Sequence, residues 1–378
     1  MILEFLVILG CIWLIGGCCV VSLWIIVDTR TKKRIFPSYT PVVSIIVPCK
    51  GTDYGFQENI SAFLTQEYPR YQALFVVESK DDPAYSALDQ LTKNKPNAHL
   101  ALTNPFSGCS AKVAALLTGL ASTADAEVLV FGDSDMRPDT HWLQNLVAPL
   151  QDETVGATTG WQWYFPTDWK TLLISAWNMI GIVGLFYPSP AATSGGSTAI
   201  QKNVFEKLHI KDKWKTAISD DNVLSAAVKK AGYTIYFQPK CIMESPPETS
   251  IRRFMRWGTK EFTLLRWYNP APWLGAFVAF VGGPIIALGL LVFLFFGYSI
   301  AGILLSAMIL FEMLCGWLGI YILPKRMAHP KERYSSKIGY ALMTPVAFLL
   351  IAQNVIASAI TKEIQWAGRS YRKPKNLS

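Results

Sequence analysis

The chain contains four long apolar stretches, one near the amino terminus and three near the carboxyl terminus, on either side of a more polar block. The first, Phe5–Val27, is almost uncharged and exceeds the roughly 20 residues that a helix needs to cross a bilayer. The others are Trp273–Gly297, Ser299–Leu323 and Ile338–Ile360. This pattern predicts an integral membrane protein with an amino-terminal transmembrane helix and carboxyl-terminal transmembrane or interfacial helices.

Between these stretches, short apolar runs alternate with segments of helical periodicity. The runs predicted as strands are Val42–Val47, Ala73–Glu78, His99–Leu102, Val128–Gly132, Val155–Trp163 and Ile235–Gln238. The segments predicted as helices are Gln57–Gln66, Ala84–Lys93, Ala111–Ala121 and, at the membrane surface, Trp169–Tyr187. Strands that alternate with helices of this length are typical of an α/β fold with a parallel sheet and right-handed crossovers.

Basic residues beside the apolar stretches predict their orientation. Arg30, Lys32, Lys33 and Arg34 follow the first stretch, so the positive-inside rule places the polar block on the cytoplasmic face. A cleaved signal peptide is the alternative, but the stretch is long and has no basic leading region. The last stretch leaves two arrangements open, namely a single crossing or a re-entrant or interfacial hairpin broken at Pro345.

Composition narrows the class of partner. The formal net charge of +8 suits a protein held against an anionic membrane surface. The basic residues cluster beside the membrane segments and no nucleic-acid-binding motif occurs, so a nucleic-acid partner is not expected. The seven cysteines show no metal-binding spacing, which favours reduced structural thiols. The predicted division is a transmembrane helix at 1–28, an α/β domain at 35–270, membrane helices at 271–361 and a basic tail at 362–378.

The most informative candidate site is Asp133-Ser134-Asp135, which closes the apolar run Val128–Gly132. Side chains at i and i+2 of an extended chain point to one side, so the two carboxylates can converge at the carboxyl edge of the sheet. Two carboxylates this close repel unless a cation lies between them, and Mg²⁺ or Mn²⁺ with a diphosphate is the natural partner. A solvated turn is the alternative for the tripeptide alone.

Polar side chains also follow two earlier predicted strands. Lys50 follows the first strand, and Glu78, Asp81 and Asp82 follow the second. Because the carboxyl ends of parallel strands meet at one edge of a sheet, we expect one cleft to hold these side chains together with Asp133.

Two later segments offer further candidates. Gly195-Gly196-Ser197 would let the backbone approach a sugar ring or a phosphate closely, although a flexible loop explains it equally well. Asp220 and Asp221 begin a predicted helix, where they serve either as simple caps or, for Asp221, as a general base that takes a proton from a hydroxyl.

Arg253, Arg256 and Trp257 precede the carboxyl-terminal membrane helices. On a helix the two arginines share a face, and guanidinium groups with an indole suit a diphosphate or an acceptor positioned by aromatic contact. A juxtamembrane anchor is the alternative, because Arg and Trp are common before a membrane span.

Taken in order, these motifs resemble those of membrane-bound glycosyltransferases with a GT-A fold, and most closely the ceramide glucosyltransferase family. The motifs that carry the resemblance are Pro48-Cys49-Lys50-Gly51, Asp81-Asp82-Pro83, Ser110-Ala111-Lys112-Val113, Asp133-Ser134-Asp135, Asp220-Asp221, Arg253-x-x-Arg256-Trp257 and Trp366-Ala367-Gly368-Arg369. The resemblance implies a GT-A type, mostly parallel sheet with helices on both faces.

The resemblance also implies how the donor, a UDP-sugar, would be bound. The residues expected to contact the nucleotide sugar are Lys50, Glu78, Asp82, Lys112 and Asp133. Asp133 and Asp135 would hold Mg²⁺ or Mn²⁺ and, through it, the diphosphate. Asp81 and Asp82 both remain candidates for the nucleotide contact at that position.

On the acceptor side, the resemblance gives Asp221 the role of catalytic base. Asp220 stands where related sequences often carry Glu, which keeps the charge on a shorter side chain. Arg253, Arg256 and Trp257 would gate the donor and the acceptor. The implied reaction is inverting transfer of a hexose from a UDP-sugar to the hydroxyl of a membrane lipid such as ceramide, and glucose is the hexose that the resemblance favours.

Other functions remain possible from the sequence. Polysaccharide synthesis needs enough transmembrane helices to enclose a channel, and the motif here lacks the leading Gln of Gln-x-x-Arg-Trp. A polyprenyl-phosphate acceptor is a nearer rival because it too is a membrane lipid. A degenerate sugar-binding membrane subunit without enzyme activity is the non-enzymatic alternative.

Overall fold

The computed structural model describes residues 1–31, 34, 36–104, 108–183, 185, 193–245, 250–328 and 336–374. Lys32 and Lys33, the end of the helix predicted to reach Tyr187, and the last four residues of the tail lie outside this part. The chain begins with a long apolar helix, α1 (Ile2–Thr31).

The first half of the α/β domain alternates strands and helices as predicted. Its elements are β1 (Val43–Cys49), α2 (Phe56–Leu64), β2 (Tyr71–Val77), α3 (Pro83–Thr92), β3 (Ala98–Leu102), α4 (Ala111–Gly119) and β4 (Val128–Gly132). All five residues of β4 are buried, which explains its uninterrupted apolar run. The strands of this half pair only in parallel with one another.

The second half is more irregular. Its elements are α5 (Trp142–Val147), β5 (Val155–Tyr164), α6 (Trp169–Val183), β6 (Ser197–Gln201), α7 (Lys202–Lys207), α8 (Ile210–Trp214), α9 (Asp220–Lys230), β7 (Thr234–Ser245) and α10 (Ile251–Tyr268). The sheet has the order β3-β2-β1-β4-β6-β5-β7, and β6 runs antiparallel to both neighbours. The prediction of a mostly parallel sheet is confirmed.

Helices cover both faces of the sheet because successive strand residues point to opposite sides. On one face, Phe63 of α2 and Trp142 of α5 pack edge to face with ring centroids 5.6 Å apart. On the other, Phe131 of β4 contacts Trp214 of α8 at 5.1 Å. The sheet therefore lies between two apolar layers.

Strand β7 is much longer than the predicted strand Ile235–Gln238. Its pairing with β5 shifts register between Phe237 and Ile242, where Pro239 interrupts the ladder, and then continues to Ser245. The prediction ended too early because Pro stops a strand in a sequence pattern, whereas a register shift lets the strand resume beyond it.

The carboxyl-terminal elements are α11 (Pro270–Phe295), α12 (Ser299–Ile322), α13 (Lys337–Ile360), β8 (Glu363–Trp366) and β9 (Arg369–Arg372). Within the described part of the chain, four helical segments are long and apolar enough to cross a membrane, namely Ile2–Arg30, Pro270–Phe295, Ser299–Lys325 and Lys337–Ile360. The expectation of a membrane protein is thereby supported. Asp28 near the end of α1 and Arg326 just beyond α12 form a largely buried ion pair at 2.9 Å.

Helix α13 packs against α6 and α10 of the α/β domain and against the membrane helices α11 and α12. Near its start, the hydroxyl of Tyr340 is 2.7 Å from that of Ser175 on α6. Near its end, the guanidinium of Arg266 on α10 donates a hydrogen bond to the carbonyl oxygen of Ala359. Both ends of α13 therefore lie beside the α/β domain. The hairpin break suggested for Pro345 is wrong, because α13 is one continuous helix through that residue.

Candidate functional site

A cleft of about 560 Å³ opens at the carboxyl edge of the sheet. Its polar lining comes from the ends of β1, β2 and β4 and from the first turns of α4 and α9. The charged residues among those that line it are Lys50, Asp53, Glu78, Lys112, Asp133, Asp135, Asp220, Asp221, Lys260 and Glu261. The prediction that one cleft collects the polar strand ends thus agrees with the geometry for Lys50, Glu78, Asp133 and Asp135.

Lys112 is the centre of the charged cluster. Its Nζ lies 2.7 Å from Asp133 Oδ1 and 3.6 Å from Asp220 Oδ1. Burial alone would lower the pKa of Lys112, but the charges of Asp133 and Asp220 outweigh it and raise that pKa. Burial also raises the pKa of Asp220 to about 7, against the opposing charge of Lys112. The ammonium therefore stays charged and joins β4 to α9.

Glycines 195 and 196 bring the backbone against this cluster. A Cβ atom on Gly195 would lie 2.7 Å from Lys112 Nζ, and one on Gly196 would lie 2.8 Å from Asp133 Oδ2. A side chain at either position would press on a charged group of the cluster. The close approach predicted for this segment is directed at the protein's own charged side chains.

Asp135 faces the open cleft, but the walls of the cleft restrict the access of water to its carboxylate. Desolvation, followed by the charges of Asp133 and Asp53, raises the pKa of Asp135 to about 6. Among the described residues no group of three or more His, Cys, Asp or Glu side chains could hold a metal. Mg²⁺, however, is often bound through one or two carboxylates with the remaining oxygens from phosphates and water. Two hard oxygen donors surrounded by excess negative charge fit that chemistry.

Asp221 lies beside Asp220 in the first turn of α9. The hydroxyl of Ser219 and the backbone N–H of Asn222, at 2.7 Å, both donate to Oδ1 of Asp221. Ser219 is also the N-cap of α9. The carboxylate is therefore oriented through one oxygen, while Asp220 is buried and engaged with Lys112.

The structure distinguishes Asp81 from Asp82. Asp82 is the N-cap of α3, and its Oδ1 accepts from Ala84 N at 2.9 Å and from Gly51 N at 2.8 Å. Asp81 pairs with Ser79 at the surface. Neither aspartate is among the described residues that line the cleft. The Asp82 carboxylate thus fixes the loop that follows Lys50.

The segment Arg253–Trp257 contributes unevenly to the cleft. Trp257 lines it, whereas Arg253 and Arg256 are exposed and are absent from its described lining. Farther along α10, Lys260 and Glu261 line the cleft and form an ion pair at 2.8 Å. Sequence reasoning missed both, because a Lys-Glu pair on an amphipathic helix reads as an ordinary solvated face.

The opposite side of the cleft is apolar and aromatic. Its described lining there comprises Trp161, Trp177, Gly181, Leu185, Trp257, Phe262, Leu264 and Leu265. Trp177 and Trp257 pack with ring centroids 5.6 Å apart. Trp177 also donates a hydrogen bond of 3.2 Å to Asn354 on α13, so this wall rests directly on a membrane helix.

The segment predicted as a basic tail forms a β-hairpin against the cleft. Strands β8 and β9 pair antiparallel, and Trp366, Ala367 and Tyr371 line the cavity. Lys50 Nζ donates to Ala367 O at 2.7 Å, and Arg369 forms an ion pair with Glu78. Little in the sequence signals this hairpin, because Ala367-Gly368 is not one of the dipeptides that favour a two-residue hairpin turn.

Comparisons with known proteins agree with this architecture. Residues 10–376 match the family model described as glycosyl transferase family 21. Ceramide glucosyltransferase 1 of Caenorhabditis elegans is 24% identical over 244 residues, which are 58% of this chain and 50% of that protein. Ceramide glucosyltransferase 3 of the same organism is 35% identical over 89 residues, which are 22% of this chain and 19% of that protein.

A solved structure supports the fold. The mannosyltransferase PcManGT from Pyrobaculum calidifontis, in complex with GDP-Man and Mn²⁺, aligns with a TM-score of 0.51 at 18% identity. The alignment covers 94% of this chain and 98% of that chain. The family match extends over almost the whole sequence, whereas the matched segment is only half of the first curated relative. The chain belongs to glycosyl transferase family 21, and its fold is of the GT-A type.

Proposed function

We propose that this member of glycosyl transferase family 21 transfers a hexose from a UDP-sugar to the hydroxyl of a membrane lipid such as ceramide. Glucose is the hexose that we favour. The observation that carries the proposal is the composition of the cleft, which is charged on one side and aromatic on the other. Carboxylates outnumber cations on the first side, which suits an anionic donor bound through a divalent cation, and the second side suits a lipid acceptor. The curated relatives are named ceramide glucosyltransferases, which supports glucose as the transferred sugar and ceramide as the acceptor.

On the donor side, each expected residue has a physical role to offer. Lys50, Glu78 and Lys112 line the cleft and would contact the nucleotide sugar, and Asp82 would shape the loop after β1. Asp133 and Asp135 would hold Mg²⁺ or Mn²⁺, with Asp133 also close to the donor. The ion would supply charge neutralisation for the departing diphosphate. Lys112, fixed beside Asp133, would add positive charge at the same place.

On the acceptor side, Asp221 would take the proton of the attacking hydroxyl. Its orientation by Ser219 and Asn222 supports this choice over Asp220, whose carboxylate is buried and paired with Lys112. Asp220 would position Lys112. A single base acting on one face of the sugar predicts inversion at the anomeric carbon.

The aromatic wall would receive the lipid. Trp257 and Trp177 would contact the part of the acceptor next to the reacting hydroxyl, and α13 would bring the bilayer surface to the cleft. Arg253 and Arg256 would act from the exposed side of α10 on the entering acceptor. The basic residues after α1 support a cytoplasmic catalytic domain at 35–270, anchored by the helix at 1–28 and the helices at 271–361.

The test is a substrate panel with the full-length protein in membranes. Labelled UDP-sugars would be combined with ceramide, other lipid alcohols and a polyprenyl phosphate, with Mg²⁺ or Mn²⁺ present, and products would be identified by mass spectrometry. We expect a glucosylated ceramide-like lipid. A long soluble polymer or a glycosylated polyprenyl phosphate would replace this proposal with a rival, and the lack of any transfer would favour a sugar-binding subunit.

A further inference from the structure

The carboxyl-terminal hairpin is firmly docked beside the cleft. Ile364 of β8 is only 3% exposed and packs in a cluster with Ile218, Leu264 and Trp267. The Nζ atom of Lys260 lies 4.4 Å from the ring centre of Trp366, a favourable cation–π distance. These contacts anchor strand β8 independently of the contacts made by the turn of the hairpin.

The tip of the hairpin adopts a strained turn that points at the donor side. Ala367 and Gly368 both have positive φ angles, 51° and 79°, as a type I′ turn requires. Glycine adopts this conformation freely, but alanine does so only where the surroundings impose it. Lys50 supplies that constraint by donating to Ala367 O at 2.7 Å.

Next to the turn, two cations share one carboxylate. Arg369 pairs with Glu78, and Lys50 Nζ lies 3.7 Å from the same carboxylate, so two cationic side chains lie together on the donor side of the cleft. The Arg369 and Glu78 side chains are 50% and 39% exposed. Exposed ion pairs of this kind are weak and exchange partners at little cost. The planar guanidinium fork is also suited to bidentate binding of phosphate oxygens.

We propose that Arg369 binds the phosphate groups of the nucleotide-sugar donor, which makes the hairpin part of the donor site. The inference rests on the proposed function to the extent that the donor carries a nucleoside diphosphate. Before the donor binds, Glu78 holds Arg369. When the donor binds, the guanidinium exchanges Glu78 for phosphate, and the Glu78 carboxylate is released toward the nucleotide.

The test compares Arg369→Gln with Arg372→Gln in the full-length protein. Arg372 is a matched control, because its guanidinium pairs with Glu363 inside the hairpin and is 82% exposed. We expect Arg369→Gln to raise the KM for UDP-glucose by about tenfold to a hundredfold, because a charge-assisted contact with the phosphates is lost. The KM for the lipid should change little. Arg369→Lys should recover part of the affinity. An unchanged donor KM in Arg369→Gln would overturn the inference.

A second measurement separates binding from anchoring. Chymotryptic cleavage after Trp366 and Tyr371 reports release of the hairpin, and UDP should slow it in the wild type but not in Arg369→Gln. If UDP protects Arg369→Gln as strongly as the wild type, Arg369 only anchors the hairpin, which overturns the inference.

Equilibrium titration with UDP distinguishes this inference from the proposed reaction. If UDP-glucose gives no transfer but UDP binds the wild type more tightly than Arg369→Gln, the reaction is wrong and the inference stands. If transfer occurs and both proteins bind UDP equally, only the inference fails. Absence of UDP binding by the wild type would overturn both.

Discussion

The two walls of the cleft are built in different ways. The charged wall consists mainly of residues that directly follow strands or begin helices, such as Glu78 after β2, Asp133 after β4 and Asp221 in α9. The aromatic wall combines Trp161 of β5 and Trp257 of α10 with side chains of α6. Position in the sheet thus creates the first wall, and packing between distant helices creates the second.

The walls also differ in what stabilises them. On the charged side, Lys112 offsets the repulsion between Asp133 and Asp220. On the aromatic side, Asn354 of α13 accepts from Trp177 and donates to Met255 O at 2.8 Å. A change in the charged wall should therefore alter donor use and chemistry, whereas a change in the aromatic wall should alter acceptor use and its link to the membrane.

The largest effect that separates the walls is expected for Asp221→Asn. Loss of the base should lower transfer by about 10³-fold, within the usual range for general base catalysis, and leave donor binding intact. Transfer rates and UDP-glucose affinity would be measured together. Asp212→Asn is the control, since Asp212 is an exposed partner of Lys215 away from the cleft. A fully active Asp221→Asn protein would remove Asp221 from the mechanism.

The next effect compares a glycine from each wall. Gly195→Ala would place a Cβ atom 2.7 Å from Lys112 Nζ, whereas Gly181→Ala would place one 3.7 Å from Trp161, an ordinary contact. We expect Gly195→Ala to lower kcat/KM for the donor by about tenfold to a hundredfold, because displacing Lys112 weakens its charge-assisted contacts with Asp133 and Asp220. Gly181→Ala should change it little. Equal effects of the two substitutions would mean that the walls are not separable.

A smaller effect is expected for Trp257→Ala in the aromatic wall. Removal of the indole should raise the KM for the lipid by about tenfold and leave the KM for the donor unchanged, because aromatic contact area is lost on one side only. Trp169→Ala is the matched control, since Trp169 is 59% exposed and lies outside the described cleft lining. A shift in donor KM with unchanged lipid KM would contradict this assignment.

The smallest effect is a pH dependence that originates in the charged wall. Asp220 faces Lys112, Asp221 and Asp133, and burial raises its pKa to about 7. As the pH falls below 7 the carboxylate gains a proton and its pairing with Lys112 weakens, so kcat/KM should fall severalfold. Asp220→Asn should lack this change. A wild-type profile that Asp220→Asn reproduces would assign the titration to another group.

The raised pKa of Asp220 also predicts how the free energy of unfolding changes with pH. The pKa of Asp220 is higher in the folded state than the value of about 4 expected in the unfolded chain. The folded protein therefore binds this proton more tightly, and the Asp220 contribution to the free energy of unfolding should decrease as the pH rises from about 4 to 7. Thermal unfolding in detergent at several pH values, with Asp220→Asn as reference, measures this slope.

Local sequence patterns predicted most of the first half of the domain. The runs that became β1, β2 and β4 are apolar and buried, and the polar residues after them share an edge for topological reasons alone. The order β3-β2-β1-β4 then brings these ends together. Lys112 was identified only by family resemblance, because a lysine in the first turn of a helix gives no signal of its own.

The sequence by itself therefore determined the membrane segments, the α/β class and the acidic strand ends, since each depends on hydrophobic periodicity and on residues close in the chain. Only the tertiary structure decided that α13 lies beside the domain without a break at Pro345, and that Arg369 reaches Glu78. These features depend on contacts between residues far apart in sequence. Such contacts are selected by packing and charge in three dimensions, which no local pattern records.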